Sequence, residues 1–425
     1  MKVNIQKGIF ALLMLLILSS TAKSQEFIKI IPIPKSQDMI IRDISRDTCL
    51  VYTKYYDNYT TDYFNVFLRV SENGSSALVL KLPASIKIVK DFEIYKRVVY
   101  FCGQDINNKA VMGTFALQGF PNTEVCIWTI PEMYSFNKLD VGELNSTYHV
   151  MMTGEAALGS SHIVDAKRIS STQWDFYVSS VLDNWLFDDV AITKSKVVFS
   201  ARQKPDSHGT LIEFPYPNMS SSILSGVNIP YVRLFVSNEI LLKATSTDNY
   251  AFMTNTSYGI HMGEASGLAR VWQYRFGNYY GPSPYRGLDL AYNPVSNNIN
   301  ILASYYQSCT LHPLHSPLVP VPPLWTNGHK TTGNTILSIG GIKSAYGLFF
   351  AAGNAVTLDY LALYRYKFDE WLGCFEHEVV ETDTGMKWGE KGSIDIPCRI
   401  FPEVAECGFC DILELPVHDE CNENK

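Results

Sequence analysis

Beyond its first 24 residues this sequence has no long apolar run, no alanine-rich stretch of 3.6-residue period, and too little basic charge to coat a phosphate backbone. Each lack removes a class of protein. A membrane helix needs about 20 apolar residues in a row, a helical repeat needs amphipathic helices in pairs, and nucleic-acid binding needs a concentrated basic surface. Local catalytic signatures are missing too: there is no Gly-x-Ser-x-Gly elbow, no His-Glu-x-x-His zinc helix and no phosphate-binding glycine loop. In the nearest approach, His377-Glu378-Val379-Val380-Glu381, glutamate stands where the second zinc histidine belongs. No catalytic residue is assigned.

What is present begins with Lys2 and Lys7, the apolar run Ile9 to Leu18, and the small-residue end Ala22-Lys23-Ser24, the three parts of a secretory signal peptide. The reading is a signal peptide over 1–24 and a secreted or periplasmic mature chain with no transmembrane segment. No cysteine stands at the cleavage point to take a lipid. Losing three lysines with the leader moves the formal charge from −7 to about −10. Tyrosine (25), phenylalanine (22) and many Val and Ile residues favour strands. Five of the nine cysteines, Cys374, Cys398, Cys407, Cys410 and Cys421, crowd the last 52 residues, as in a loop-rich segment with disulfides formed in an oxidising compartment.

An internal repeat organises the rest. Apolar strands recur at Cys49–Tyr52, Val98–Gly103, Tyr148–Met152, Lys196–Ser200, Ile240–Lys243, Ile299–Ala303 and Gly347–Ala351. Upstream of most copies comes an aspartate followed by an apolar residue, at Asp43, Asp91, Asp140, Asp189 and Asp289, with Arg233 and Ser338 in the corresponding places of the other two units. The steps along these seven positions are 48, 49, 49, 44, 56 and 49 residues. A period near 50 made of short strands matches one four-stranded blade of a β-propeller. Each unit then holds an inner strand starting at the aspartate, the apolar second strand, a third such as Ala110 to Leu117, and an outer one such as Glu124 to Ile130. Outer strands end in Leu-Pro or Ile-Pro, and the mature N-terminus, Phe27 to Pro34, carries the same signature.

The fold expected is therefore all-β: a seven-bladed β-propeller over 25–370, closed by an outer strand from residues 26–33, and a small cysteine-rich C-terminal tail over 371–425. On this repeat the chain resembles secreted β-propeller proteins of Gram-negative bacteria, many without an assigned activity. The resemblance is architectural and carries over no functional residue, because Trp174-Asp175 is the sole Trp-Asp pair in a strand context and Gly340-Gly341 a single kelch-like doublet.

The repeated aspartates could ring a cation in the central channel, since hard metals take several oxygens. The favoured reading is structural, with each carboxylate accepting hydrogen bonds at its inner strand; no cofactor is expected. Cys407-Gly408-Phe409-Cys410 with His418 and Cys421 has zinc-type ligands, but exported thiols more often form disulfides. Cys102 and Cys126, placed on the second and fourth strands of one blade, lie beyond disulfide reach of each other and are expected to be buried thiols. His312, His315 and His329 flank a proline-rich stretch and read as loop residues. Asp188 and Asp189 would serve as glycosidase carboxylates only with a second acid across a bound sugar.

The best candidate for ligand binding is the aromatic, arginine-bearing segment with Tyr279, Tyr280, Tyr285 and Arg286, where the longest step marks an enlarged loop. The function this favours is a secreted module binding a glycan, peptide or protein, with no nucleic-acid partner. Two alternatives stay open: a carbohydrate hydrolase or lyase with carboxylates at the channel mouth, and a structural component of the envelope.

Overall fold

The computed structural model describes the strands and most turns between residues 27 and 419. Residues 1–26, 216–228, 277–284, 315–335, 368–390 and 420–425, with shorter gaps elsewhere, lie outside the described residues, and over 301–404 only the backbone is described. The expected leader therefore lies outside them.

The described residues form seven antiparallel sheets and no helix. Strand β1 (Phe27–Ile31) opens the chain, and the sheets then follow in order. The first holds β2 (Gln37–Ser45), β3 (Thr48–Tyr56), β4 (Tyr63–Val70) and β5 (Ser76–Lys81). The second holds β6 (Ile86–Tyr95), β7 (Val98–Asp105), β8 (Ala110–Ala116) and β9 (Glu124–Ile130). The third holds β10 (Ser135–Leu144), β11 (Thr147–Glu155), β12 (Ser161–Arg168) and β13 (Gln173–Ser179). The fourth holds β14 (Trp185–Ile192), β15 (Lys196–Gln203), β16 (His208–Pro215) and β17 (Ile229–Val236). The fifth holds β18 (Ile240–Ala244), β19 (Asn249–Thr256), β20 (Gly259–Ser266) and β21 (Ala269–Phe276). The sixth shows β22 (Tyr285–Asn293), β23 (Asn298–Tyr305) and β24 (Ser308–Leu314). The last shows β25 (Ile336–Ala345), β26 (Leu348–Ala355) and β27 (Leu361–Lys367), with β1 paired antiparallel to β27 so that Phe27 faces Arg365.

Alternation along each strand sends side chains into two cores. Val99 and Phe101 join Leu50, Tyr52 and Phe67 between the first and second sheets. Their neighbours Tyr100 and Cys102 join Phe136, Val150 and Trp174 between the second and third. Further clusters fill the spaces from the third sheet to the sixth. The second to fifth blades thus bury both faces against their neighbours, at about 1.5–3 kcal/mol per large apolar side chain, which none could do alone. The innermost strands touch in chain order, β2 to β6, β10, β14, β18, β22 and β25, and β25 also touches β2. This is a β-propeller.

Three details differ from the sequence reading. The inner strand does not start at the aspartate; Asp91, Asp140 and Asp189 sit mid-strand, opposite Cys102, Met151 and Ser200. A break in register precedes Asp91, Asp189 and Asp289, where the inner strand bulges. In the second sheet a Cβ on Gly103 would lie 2.0 Å from the Ile88 carbonyl oxygen, so the bulge requires glycine opposite it. Asp43 is not equivalent, since it faces Cys49 close to the hairpin turn. Ile240 to Lys243 is the fifth sheet's innermost strand rather than its second, and Arg233 lies on β17, the fourth strand of the preceding sheet. That displacement explains the irregular steps of 44 and 56 residues.

The cysteine-rich tail takes a form the sequence does not announce. Strands β28 (Lys391–Ile394), β29 (Cys398–Val404), β30 (Glu406–Phe409), β31 (Asp411–Pro416) and β32 (His418–Asp419) each add to the outer edge of a different sheet. They pair with β17, β13, β9, β5 and β1 in turn, so the tail runs around the rim against the order of the blades. Cys407 on β30 faces Cys126 on β9 and is bonded to it, correcting the expectation of a buried thiol at Cys126 and excluding Cys407 as a zinc thiolate. Cys102 is a buried free thiol. Cys410 packs partly buried against the core between the first two sheets. Cys374 and Cys421 lie outside the described residues, and Cys398 is described by its backbone alone.

Candidate functional site

The inner strands deliver a dense set of charges to the axis of the ring. Arg42 on β2 donates through Nη2 to Asp91 Oδ1 at 2.8 Å and through Nε to Glu93 Oε1 at 2.9 Å, joining the first two sheets. Lys243 on β18 reaches the same Glu93 oxygen at 2.6 Å from across the channel. Burial alone would raise the Glu93 carboxyl, but Arg42 and Lys243 overcome this and hold it below its usual value.

The aspartates work as stitches between neighbouring blades. In Asp91, Oδ1 accepts the Phe92 amide at 2.9 Å and Oδ2 the Leu139 amide of the next blade at 3.3 Å. Asp140 accepts Val141 at 2.8 Å and, across to the fourth sheet, Ile192 at 2.6 Å. Asp189 accepts Val190 at 2.8 Å and, in the fifth sheet, Leu242 at 2.7 Å. Asp289 accepts Leu290 at 2.8 Å. An innermost strand has amides along an edge where no further strand fits, and these carboxylates satisfy them.

Burial pushes the Asp140 carboxyl up to about 6 and that of Asp189 up to about 7, with Lys243 and Lys138 respectively opposing the rise. Lys138 is held above its usual value, because Asp91 and Asp189 outweigh the cost of its burial. The cavity among these groups measures about 30 Å³, room for two or three waters by the usual minimum of roughly 10–15 Å³ each. Asp188 turns away from it, gripped by Arg202 at 2.7–3.0 Å and by the Ile240 amide at 3.2 Å, so the adjacent acids do not share a site. Among the described residues, no group of three or more His, Cys, Asp or Glu residues is arranged to hold a metal.

A second concavity, of about 320 Å³, opens on one end of the third blade, between the β10–β11 and β12–β13 turns. Tyr148 stands at its wall with Lys96 Nζ 4.8 Å and Arg168 Cζ 5.6 Å from its ring centre. Lys96 comes from the β6–β7 turn and donates to the Tyr148 hydroxyl at 3.0 Å and to Glu143. Tyr95 meets Tyr148 edge-on at 5.9 Å. None of these was singled out in the sequence as a binding residue, Tyr148 being read only as the start of a repeated strand. Lys96 and Arg97 both take positive φ without a glycine to mark the turn, and the residues gather from different units.

Of the residues singled out in the sequence, Asp91, Asp140, Asp189 and Asp289 converge on the channel. Tyr279 and Tyr280 lie outside the described residues. Tyr285 and Arg286 begin β22 opposite Tyr305 and Ser304, and their side chains are not described. The β21–β22 connection springs from the end of the blades opposite the Tyr148 concavity, since strand direction alternates within a sheet.

No protein-family profile matches the chain, and no curated protein does. Solved structures with a similar fold include the β-propeller domain of the Trilobed protease from Pyrococcus furiosus (8% identity, TM-score 0.47, 80% of this chain and 97% of that one). Another is the propeller domain of Myceliophteria thermophila Cps50 (Swd1) (12% identity, TM-score 0.48, 76% and 95%). A third is Penicillium chrysogenum α-L-arabinanase complexed with arabinobiose (10% identity, TM-score 0.37, 82% and 100%). Likeness at this level assigns no activity. The chain's own strand order carries the conclusion that it is a β-propeller.

Proposed function

We propose that the seven sheets are the blades of one ring closed by β1, that the protein is exported, and that it binds a glycan, peptide or protein on one end of the ring. The pairing of β1 with β27 and the contact of β25 with β2 support closure. A disulfide between distant segments supports an oxidising compartment.

The observation that carries the non-enzymatic reading is the state of the channel. Arg42, Glu93 and Lys243 bridge it, and both oxygens of Asp140 and Asp189 are committed to backbone amides. A carbohydrate hydrolase or lyase is the second reading. Asp189, raised to about 7, has the proton affinity of a general acid, but a cavity of about 30 Å³ admits no sugar ring.

The test is to screen the purified full chain on glycan and peptide arrays while assaying polysaccharides for breakdown. Saturable binding without product is expected. Product release that is lost in Asp189→Asn would overturn the reading in favour of the enzyme.

A further inference from the structure

We propose that the concavity beside Tyr148 and Arg168 is a binding site for an anionic saccharide, one bearing carboxylate or sulfate groups. The inference rests on the binding-module reading and gives it a site and a ligand class.

The argument begins with Arg168. Its guanidinium has five N–H donors, and the Nε donor goes to the Ser170 carbonyl at 3.1 Å. Among the described residues no carboxylate pairs with it, so its two terminal nitrogens keep their donors for a ligand. Such a fork matches a carboxylate or sulfate in two-point contact. Glu143, the acid of the neighbouring turn, is taken up by Lys96 and does not compete.

The wall and rim supply the rest. Tyr148 is half-buried, fixed edge-on by Tyr95 and through its hydroxyl by Lys96, and so offers a ring whose position costs little further entropy. Ser146, Thr147, Ser170 and Ser171 line the concavity, and each carries a hydroxyl able to donate and accept as sugar hydroxyls require. The concavity measures about 320 Å³, against about 30 Å³ for the channel cavity.

An acidic peptide fits less well. The turn amides of Ile169 and Ser170 both donate to the Gln173 carbonyl, so this rim has no free strand edge for a peptide backbone to join. The positive charge is also local, set in a chain of formal charge −7, so non-specific capture of anions over the whole surface is not expected.

The experiment measures binding of three oligosaccharides of equal length to the full chain by calorimetry: an oligogalacturonate, a sulfated oligosaccharide and a neutral glucan. Preference for either charged probe over the neutral one is expected, and the better of the two identifies the charged group. Arg168→Gln and Tyr148→Ala should each raise Kd by about tenfold or more, the loss of a charge-assisted hydrogen bond or a stacking ring. Lys87→Gln, at the opposite end of β6 and bonded to Asn108, should bind as the parent does. Melting temperatures of all variants establish that the ring is intact. Anionic binding unchanged in both site variants, or a preference for the neutral glucan, overturns this site and leaves the binding-module reading standing. Breakdown of any probe overturns that reading itself, and absence of binding to every array and probe overturns both.

Discussion

The channel and the rim of this propeller face the same problem and solve it differently. Each blade is a sheet with two edges, and each edge leaves a row of backbone amides and carbonyls without a partner. At the channel there is no space for another strand, so side chains do the pairing: the carboxylate of Asp91, Asp140 or Asp189 takes one amide from its own strand and one from the next blade. At the rim there is space, and the C-terminal tail fills it with strands β28 to β32. Inner stitches join neighbours in chain order, whereas the rim belt joins five blades in reverse order through one continuous segment. The inner device is electrostatic and buried, and the outer one is backbone pairing secured by a disulfide.

The comparison can be broken at either place. The largest effect is expected at Glu93, where Ala substitution leaves Arg42 and Lys243 without their shared acceptor; stranding buried charge costs about 3–5 kcal/mol. Urea unfolding should show it, and a change below about 1 kcal/mol would mean that water replaces the carboxylate.

Next comes Cys126→Ser, which opens a link spanning 281 residues and should cost about 2–5 kcal/mol. Limited proteolysis should then cut within 391–419 before any cut in the blades. Simultaneous digestion of tail and blades would mean that the belt and ring unfold as one unit.

A third effect sharpens the contrast through pH. Asp140 and Asp189 have folded values raised to about 6 and 7 from 3.8. A raised value means that the folded state binds the proton more tightly, so this contribution is complete below about pH 4 and is lost as pH rises through 6 to 7. The urea midpoint should therefore fall between about pH 4 and pH 7. Asp189→Asn should lower stability by about 1–3 kcal/mol at pH 5, through one orphaned amide, and flatten the fall above it. An unaltered slope would show that Asp189 does not titrate in that window. The smallest effect is expected at Lys96, an exposed side chain over Tyr148: Lys96→Ala should leave the urea midpoint unchanged.

Much of the ring is visible in the residue pattern. Val98 to Gly103, Tyr148 to Met152 and Lys196 to Ser200 fall on β7, β11 and β15 because an all-round apolar strand is what a sheet buried on both faces demands. The fifth unit misled because it has no aspartate on its inner strand, and that strand, Ile240–Ala244, is itself a short apolar run. The Tyr148 concavity stayed hidden because Lys96 in the β6–β7 turn, Tyr148 at the start of β11 and Arg168 at the end of β12 are distant in sequence and share no motif.

The sequence by itself determined the period, the strand character and the aspartate repeat, since these follow from local alternation and from a constraint renewed in every blade. The tertiary structure alone decided where the tail goes, which cysteine meets Cys126 and how Arg42, Glu93 and Lys243 meet at the axis. Those pairings join residues 281, 51 and 150 positions apart, and no local pattern encodes a distance that exists only once the sheets stand around a common axis.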